Sequence, residues 1–217
     1  MSSREVILQR IRTELSKGPH VVAPPVPEVW PRANPAPAVM AERFTTELAD
    51  VQGEIIRCAT MKEASQQLAA LVQQLQWTAI GAMDRPTVRE AVADLKPESV
   101  QWAASGWQPK AMAELSASVI VTDALLADTG SCLIDCGTAE DRLLCYLPPA
   151  CVVIGRMDQL VEHLPAAWPA LAPRVAEPAR RGEFVIVTGP SRTADIEKIL
   201  ILGVHGPKRL VVILVGG

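Results

Sequence analysis

The chain has 217 residues, 49% of them hydrophobic, enough to bury a substantial core in one domain with an appendage. Its formal net charge is −3, acids and bases are interspersed, and it holds one Tyr and two Phe, which argues against nucleic acid as the main partner. No apolar run approaches the roughly 18 residues needed to span a bilayer, and the opening MSSREVILQRIRTEL is amphipathic rather than a signal peptide, so no membrane span and a cytoplasmic location are expected.

Ser2 and Glu5 form a capping-box pattern, and Val6, Leu8, Ile11 and Leu15 set an apolar stripe. Together they predict a helix over 3–16, ended by Gly18. Residues 19–37 hold seven prolines and read as an extended connector. Residues 1–38 are therefore expected to be an N-terminal helix and Pro-rich arm, and 39–217 an α/β domain. The arm is free to pack on its own domain or on a neighbouring subunit, which leaves a homo-oligomer open.

From Val39 the pattern alternates. Helices are predicted at 39–51, 61–75, 86–95 and 110–115, in a Leu-rich stretch carrying Arg142 and Cys145, and in an amphipathic MDQLVEHL at 157–164 whose His163 faces solvent. Strands are predicted at 54–59, 78–82, 99–103, 118–123, 131–135, 150–155, 184–189 and 210–215. Strands that alternate with helices and are continuous apolar runs imply a mostly parallel sheet covered on both faces.

Five cysteines are present, four of them (Cys132, Cys136, Cys145, Cys151) separated by three, eight and five residues. These spacings contain no C-x-x-C and fit no ferredoxin run, so the cysteines read as core residues and no metal is expected. There is no P-loop, dinucleotide fingerprint or Gly-x-Ser-x-Gly elbow, so no cofactor is expected. No nucleophile has an obvious base, so the sequence leaves open whether the chain is an enzyme.

Three loops follow strand ends, where open parallel sheets bind ligands. They begin at Thr122-Asp123 (running on to Thr129 and Gly130), at Cys136-Gly137-Thr138, and at Gly189. The last is the richest. Ser191, Arg192 and Thr193 supply hydroxyls and a guanidinium, and a helix is predicted over 194–202 with Thr193 as N-cap and Gly203 as C-cap. Such a helix start would suit a carboxylate or phosphate, with Asp195 and Glu197 in its first turn. His205, before Gly206-Pro207, could shuttle a proton, orient a ligand or fix the turn. Arg142, in a first helical turn, needs a partner, either Glu140, Asp141 or an anionic ligand. Thr129 and Gly130 are equally turn residues or site residues.

The string SRTADIE (191–197), then GVHGP (203–207) before a final apolar strand, resembles the C-terminal signature of the lactate-utilisation protein C family, the LUD-domain proteins. LLADTGSCLID (125–135) and DRLLCYLPPACVVIG (141–155) resemble the family's central block, so the likeness covers about residues 115–215. Where the family pattern has a His after the Pro-Pro pair, this chain has Cys151, and a role tied to that His does not carry over. The resemblance implies the three-layer fold of glucosamine-phosphate deaminase, ribose-phosphate isomerase and coenzyme A transferases. It further implies an accessory or substrate-handling subunit of a system that oxidises L-lactate to pyruvate with iron–sulfur oxidoreductase partners, docking a small carboxylate at Arg192. The alternative, from fold analogy, is a stand-alone enzyme or sensor for a phosphorylated or nucleotide-like molecule.

Overall fold

A computed structural model describes residues 2–17, 29–104, 106–175, 183–193, 201–203 and 206–216, the side chains of 193, 201 and 202 apart. The chain forms two compact units, Met1–Pro31 and Arg32–Gly217. The first carries helix α1 (Ser3–Lys17), capped as the Ser2/Glu5 pattern predicts. The Ser2 N–H donates to the Glu5 carboxylate at 2.6 Å and the Glu5 N–H donates to the Ser2 hydroxyl at 3.3 Å. None of its residues is buried.

The helices of the second unit are α2 (Pro37–Asp50), α3 (Met61–Gln74), α4 (Pro86–Ala91), α5 (Pro109–Ala113), α6 (Ala139–Leu144) and α7 (Leu164–Val175). In chain order its strands are β1 (Glu54–Cys58), β2 (Ile80–Ala82), β3 (Val100–Trp102), β4 (Ala117–Val121), β5 (Ala124–Leu126), β6 (Ser131–Asp135), β7 (Ala150–Arg156), β8 (Leu160–Val161), β9 (Phe184–Val187), β10 (Arg192–Thr193), β11 (Ile201–Leu202) and β12 (Arg209–Val215). Six strands form the main sheet in the order β1-β12-β7-β4-β2-β3, parallel at every pairing and flanked by helices. Its central strands are the apolar runs. Cys151 to Ile154 and Leu210 to Val215 are buried, because parallel strands under helices have no wet face. Phe44 and Leu48 of α2, Leu68 of α3 and Met112 of α5 complete that core. Burying each such side chain stabilises the fold by about 1.5–3 kcal/mol before entropy is charged against it.

The strand order decides where a ligand site belongs. β2 and β4 are neighbours, yet the chain leaves β2 through α4 towards β3 on one side, while from β4 it goes on to β7 on the other. The carboxyl ends of β2 and β4 thus flank the topological switch point, where the splayed connections open a crevice.

Several expectations are corrected. The strands predicted at 131–135 and 184–189 exist, but not in the main sheet. β6 pairs antiparallel with β5 and with β9, and β5 pairs parallel with β8, giving a second sheet of order β8-β5-β6-β9. The helix predicted over 157–164 is a single 3₁₀ turn, Met157–Gln159, followed by β8. The Gln159 side chain accepts the Arg156 N–H at 2.8 Å and closes that turn, and Leu160 pairs with Leu125, so tertiary pairing overrides the local pattern. His163, expected to face solvent, is 4% exposed, and its Nδ1 accepts the Ala166 N–H in the first turn of α7. The helix predicted over 194–202 does not reach Leu202, because Ile201 and Leu202 form a strand paired antiparallel with Arg192 and Thr193. Thr193 is therefore a strand residue and not an N-cap. Gly203 has the positive φ (+70°) expected of a cap but follows a strand.

Candidate functional site

A crevice of about 310 Å³ lies at the switch point, lined by Arg85, Pro86, Thr87, Val121, Thr122, Asp123, Asp135, Gln159 and Arg174. Each side of it has a local cause. β2 ends at Ala82, and Pro86 fixes the first turn of α4, leaving Arg85 in extended backbone at the corner between them. The Arg85 guanidinium donates to the Asp141 carboxylate at 2.8 Å, and that carboxylate's side chain is only 3% exposed against 37% for Arg85. Asp141 is itself fixed in the first turn of α6, where its N–H donates to the capping Thr138 hydroxyl at 3.0 Å. The guanidinium also donates to the Asp84 carbonyl at 3.1 Å, so Arg85 is held at two points and still partly exposed.

The opposite wall is the corner between β4 and β5. The Thr122 hydroxyl donates to the carbonyls of Ala124 and Leu133, at 2.7 and 2.8 Å, and its own carbonyl accepts the Gln159 amide at 2.7 Å. Asp123 follows. One carboxylate oxygen accepts the Asp135 N–H at 2.8 Å and the other pairs with Arg174 from the last turn of α7. Arg174 also lies 3.4 Å from the Asp135 carboxylate. The hydrogen bond to Asp123 foremost, with both carboxylates nearby, raises the Arg174 pKa above the ordinary guanidinium value. Two guanidiniums, two carboxylates, two hydroxyls and an amide line the crevice, from α4, α7, the 3₁₀ turn and the ends of β4 and β6. Such a site can seat a small polar anion that also carries a hydrogen-bond donor.

The residues singled out in the sequence are distributed otherwise. Of the three strand-end loops, the one at Thr122-Asp123 does line the crevice. Thr129 and Gly130 sit at the far end of the β5–β6 hairpin, away from it. Gly130 has φ +62°, and a Cβ there would strike the backbone nitrogen of Leu48, so packing against α2 accounts for it. The Thr129 hydroxyl accepts the Ser131 hydroxyl at 2.8 Å. Arg142 pairs with Glu183, which raises its pKa, rather than with Glu140 or Asp141. Arg192 is exposed. The Ser191 N–H donates to the Pro207 carbonyl and the Ser191 carbonyl accepts the Gly203 N–H, both at 2.8 Å, so this loop is tied by its own backbone. Asp195, Glu197 and His205 lie outside the described residues. Arg85, Thr87, Asp135, Gln159 and Arg174 were missed. The one signal for Arg85 is its place directly after an apolar strand and before a helix-starting proline.

All five cysteines are free and buried. Burial pushes the Cys132, Cys145 and Cys151 thiols up, that of Cys151 to about 12, and Cys145 is raised first by its hydrogen bond with Cys136. Among the described residues no cluster of His, Cys, Asp and Glu is arranged to hold a metal ion, and no helix is long and apolar enough to cross a membrane.

The model of the LUD domain matches residues 41–215. The chain belongs to the LUD-domain family. Among similar proteins, lactate utilization protein C of Bacillus pumilus is 32% identical over 123 residues, 52% of this chain and 51% of the relative. The protein of that name from Exiguobacterium is 27% identical over 233 residues, 99% of this chain and 96% of the relative. The chain thus spans about half the length of the first relative and nearly all of the second. A crystal structure of a DUF162 family protein from Deinococcus radiodurans superposes with a TM-score of 0.65 at 20% identity, covering 84% of this chain and 99% of that one. That likeness concerns the fold.

Proposed function

We propose that this LUD-domain chain is an accessory, substrate-handling component of a cytoplasmic system that oxidises L-lactate to pyruvate together with iron–sulfur oxidoreductase proteins. Its part is to seat a small carboxylate in the switch-point crevice, on Arg85. The relatives' shared name supports the metabolic setting. The observation that carries the site is the Arg85–Asp141 pair, a guanidinium anchored by a buried carboxylate while its exposed part lines a small polar crevice. A planar guanidinium so fixed suits bidentate capture of a carboxylate and costs little ordering on binding. The loop of Ser191, Arg192 and Thr193 is the rival seat for the same anion. The volume of the crevice also favours a second reading, because at about 310 Å³ it has room for more than a three-carbon acid, including a phosphorylated molecule.

A thermal-shift screen against lactate, pyruvate, phosphosugars, nucleotides and coenzyme A tests this. A ligand at a hundredfold excess over its dissociation constant adds about 2.7 kcal/mol. A shift with lactate supports the first reading, and a shift with phosphorylated compounds alone supports the second.

A further inference from the structure

We propose, resting on the carboxylate reading above, that Asp123 is the residue that makes the crevice select 2-hydroxy acids over the corresponding 2-oxo acids. Asp123 stands at the corner between β4 and β5, its side chain is 21% exposed, and it lines the same crevice as Arg85. Both its oxygens are pinned, one by the Asp135 N–H at 2.8 Å and one by Arg174. Neither contact exhausts an oxygen, since an ionised carboxylate offers about four lone-pair sites. A carboxylate held at both oxygens and lining the crevice thus keeps acceptor capacity for a ligand.

Complementarity follows from elementary chemistry. A 2-hydroxy acid has an alcohol one carbon away from its carboxylate. With the carboxylate on Arg85, the alcohol can donate to Asp123. A 2-oxo acid carries a carbonyl at the same carbon, which only accepts, so its lone pairs would face those of the carboxylate. The deoxy acid has nothing there and leaves Asp123 without the added donor. The Arg174 nitrogen beside Asp123 is already shared by the Asp123 and Asp135 carboxylates. The consequence for a lactate-oxidising system is directional: the crevice holds the reduced acid and lets the oxidised one go.

The experiment is a calorimetric titration of the full chain with L-lactate, pyruvate and propionate at one pH and ionic strength. The expected order is lactate about 10- to 100-fold tighter than either of the others, the range a hydrogen bond to a charged group supplies. In Asp123→Asn, which keeps an acceptor for the Asp135 N–H, the ratio of lactate to propionate affinity should fall to about one, whatever the loss of one negative charge does to both acids alike. Pyruvate binding as tightly as lactate to the unsubstituted chain overturns the inference while leaving the carboxylate reading standing, as does a preference for lactate that survives in Asp123→Asn. Binding of none of the three removes the carboxylate reading and this inference with it. The comparison of three ligands on the unsubstituted chain can overturn the preference for the 2-hydroxy acid even if the variant does not fold.

Discussion

Replacing Arg85 by Met should separate what the residue does for stability from what it does for binding. Asp141 is 3% exposed and has Arg85 as its ion-pair partner at 2.8 Å. Removing the guanidinium strands a carboxylate out of water. Breaking a fully buried pair from one side costs about 3–5 kcal/mol. Arg85 itself is 37% exposed, so water can enter where the guanidinium was, and about 2 kcal/mol is the better figure. At roughly 2–4 °C per kcal/mol for a chain of this size, the melting point should drop by about 4–8 °C. The double variant Arg85→Met/Asp141→Asn removes the charge as well as its partner and should recover to within about 1 kcal/mol of the parent. Denaturant unfolding of the four proteins of this cycle, with unchanged slopes, gives the coupling energy. Both variants lacking Arg85 should lose the response to a carboxylate ligand, including the one whose stability is restored. The reasoning is refuted if Arg85→Met unfolds at the parental midpoint, or if the double variant is less stable than the single one.

Gly130→Ala should cost about 3 kcal/mol, because it combines a left-handed backbone with overlap on the backbone of α2, and a melting point within a degree of the parent would contradict it. Stability should be flat up to about pH 9 and fall as pH rises towards 12. The buried Cys151 thiol stays protonated in the native chain up to about 12 while unfolding frees it to ionise from its ordinary value near 9, and Cys151→Ala should make that fall shallower, the raised Cys132 and Cys145 thiols supplying the rest, in an alkaline denaturation series. By the same burial, all five thiols should resist a thiol reagent until the chain unfolds. Deleting residues 1–31 should leave the domain folded by circular dichroism, whereas deletion through 38 removes Ala33 and Asn34, whose N–H groups donate to Glu162 at 3.0 and 3.2 Å, and the start of α2, and should lower the melting point.

Much of the fold was legible because the main-sheet strands are unusually plain. Runs such as SVIV and LVVILV read as buried strands at that length, and Pro86 suits the first turn of α4. The second sheet was harder. β5 and β8 are three and two residues long, too short for any period to show. α7 was hidden by Pro169 and Pro173, residues that ordinarily end a helix. The crevice was legible only in part. Thr122 and Asp123 could be placed at a strand end, but the partners that give them meaning come from 38 residues upstream (Arg85) and 51 downstream (Arg174). Which strand ends meet is a property of strand order, and no local pattern encodes it. The emphasis on Arg192 followed from a helix start that, at Thr193, is a strand.

The most direct test of the crevice is calorimetric titration of L-lactate into the purified chain and two charge-conserving variants, Arg85→Lys and Arg192→Lys. Lysine keeps the positive charge and loses the planar fork. With the carboxylate seated on Arg85, the parent and Arg192→Lys bind alike and Arg85→Lys binds about tenfold more weakly, one lost hydrogen bond to a charged group. Loss of binding in Arg192→Lys with none in Arg85→Lys would place the anion in the C-terminal loop instead and contradict the switch-point crevice as the site.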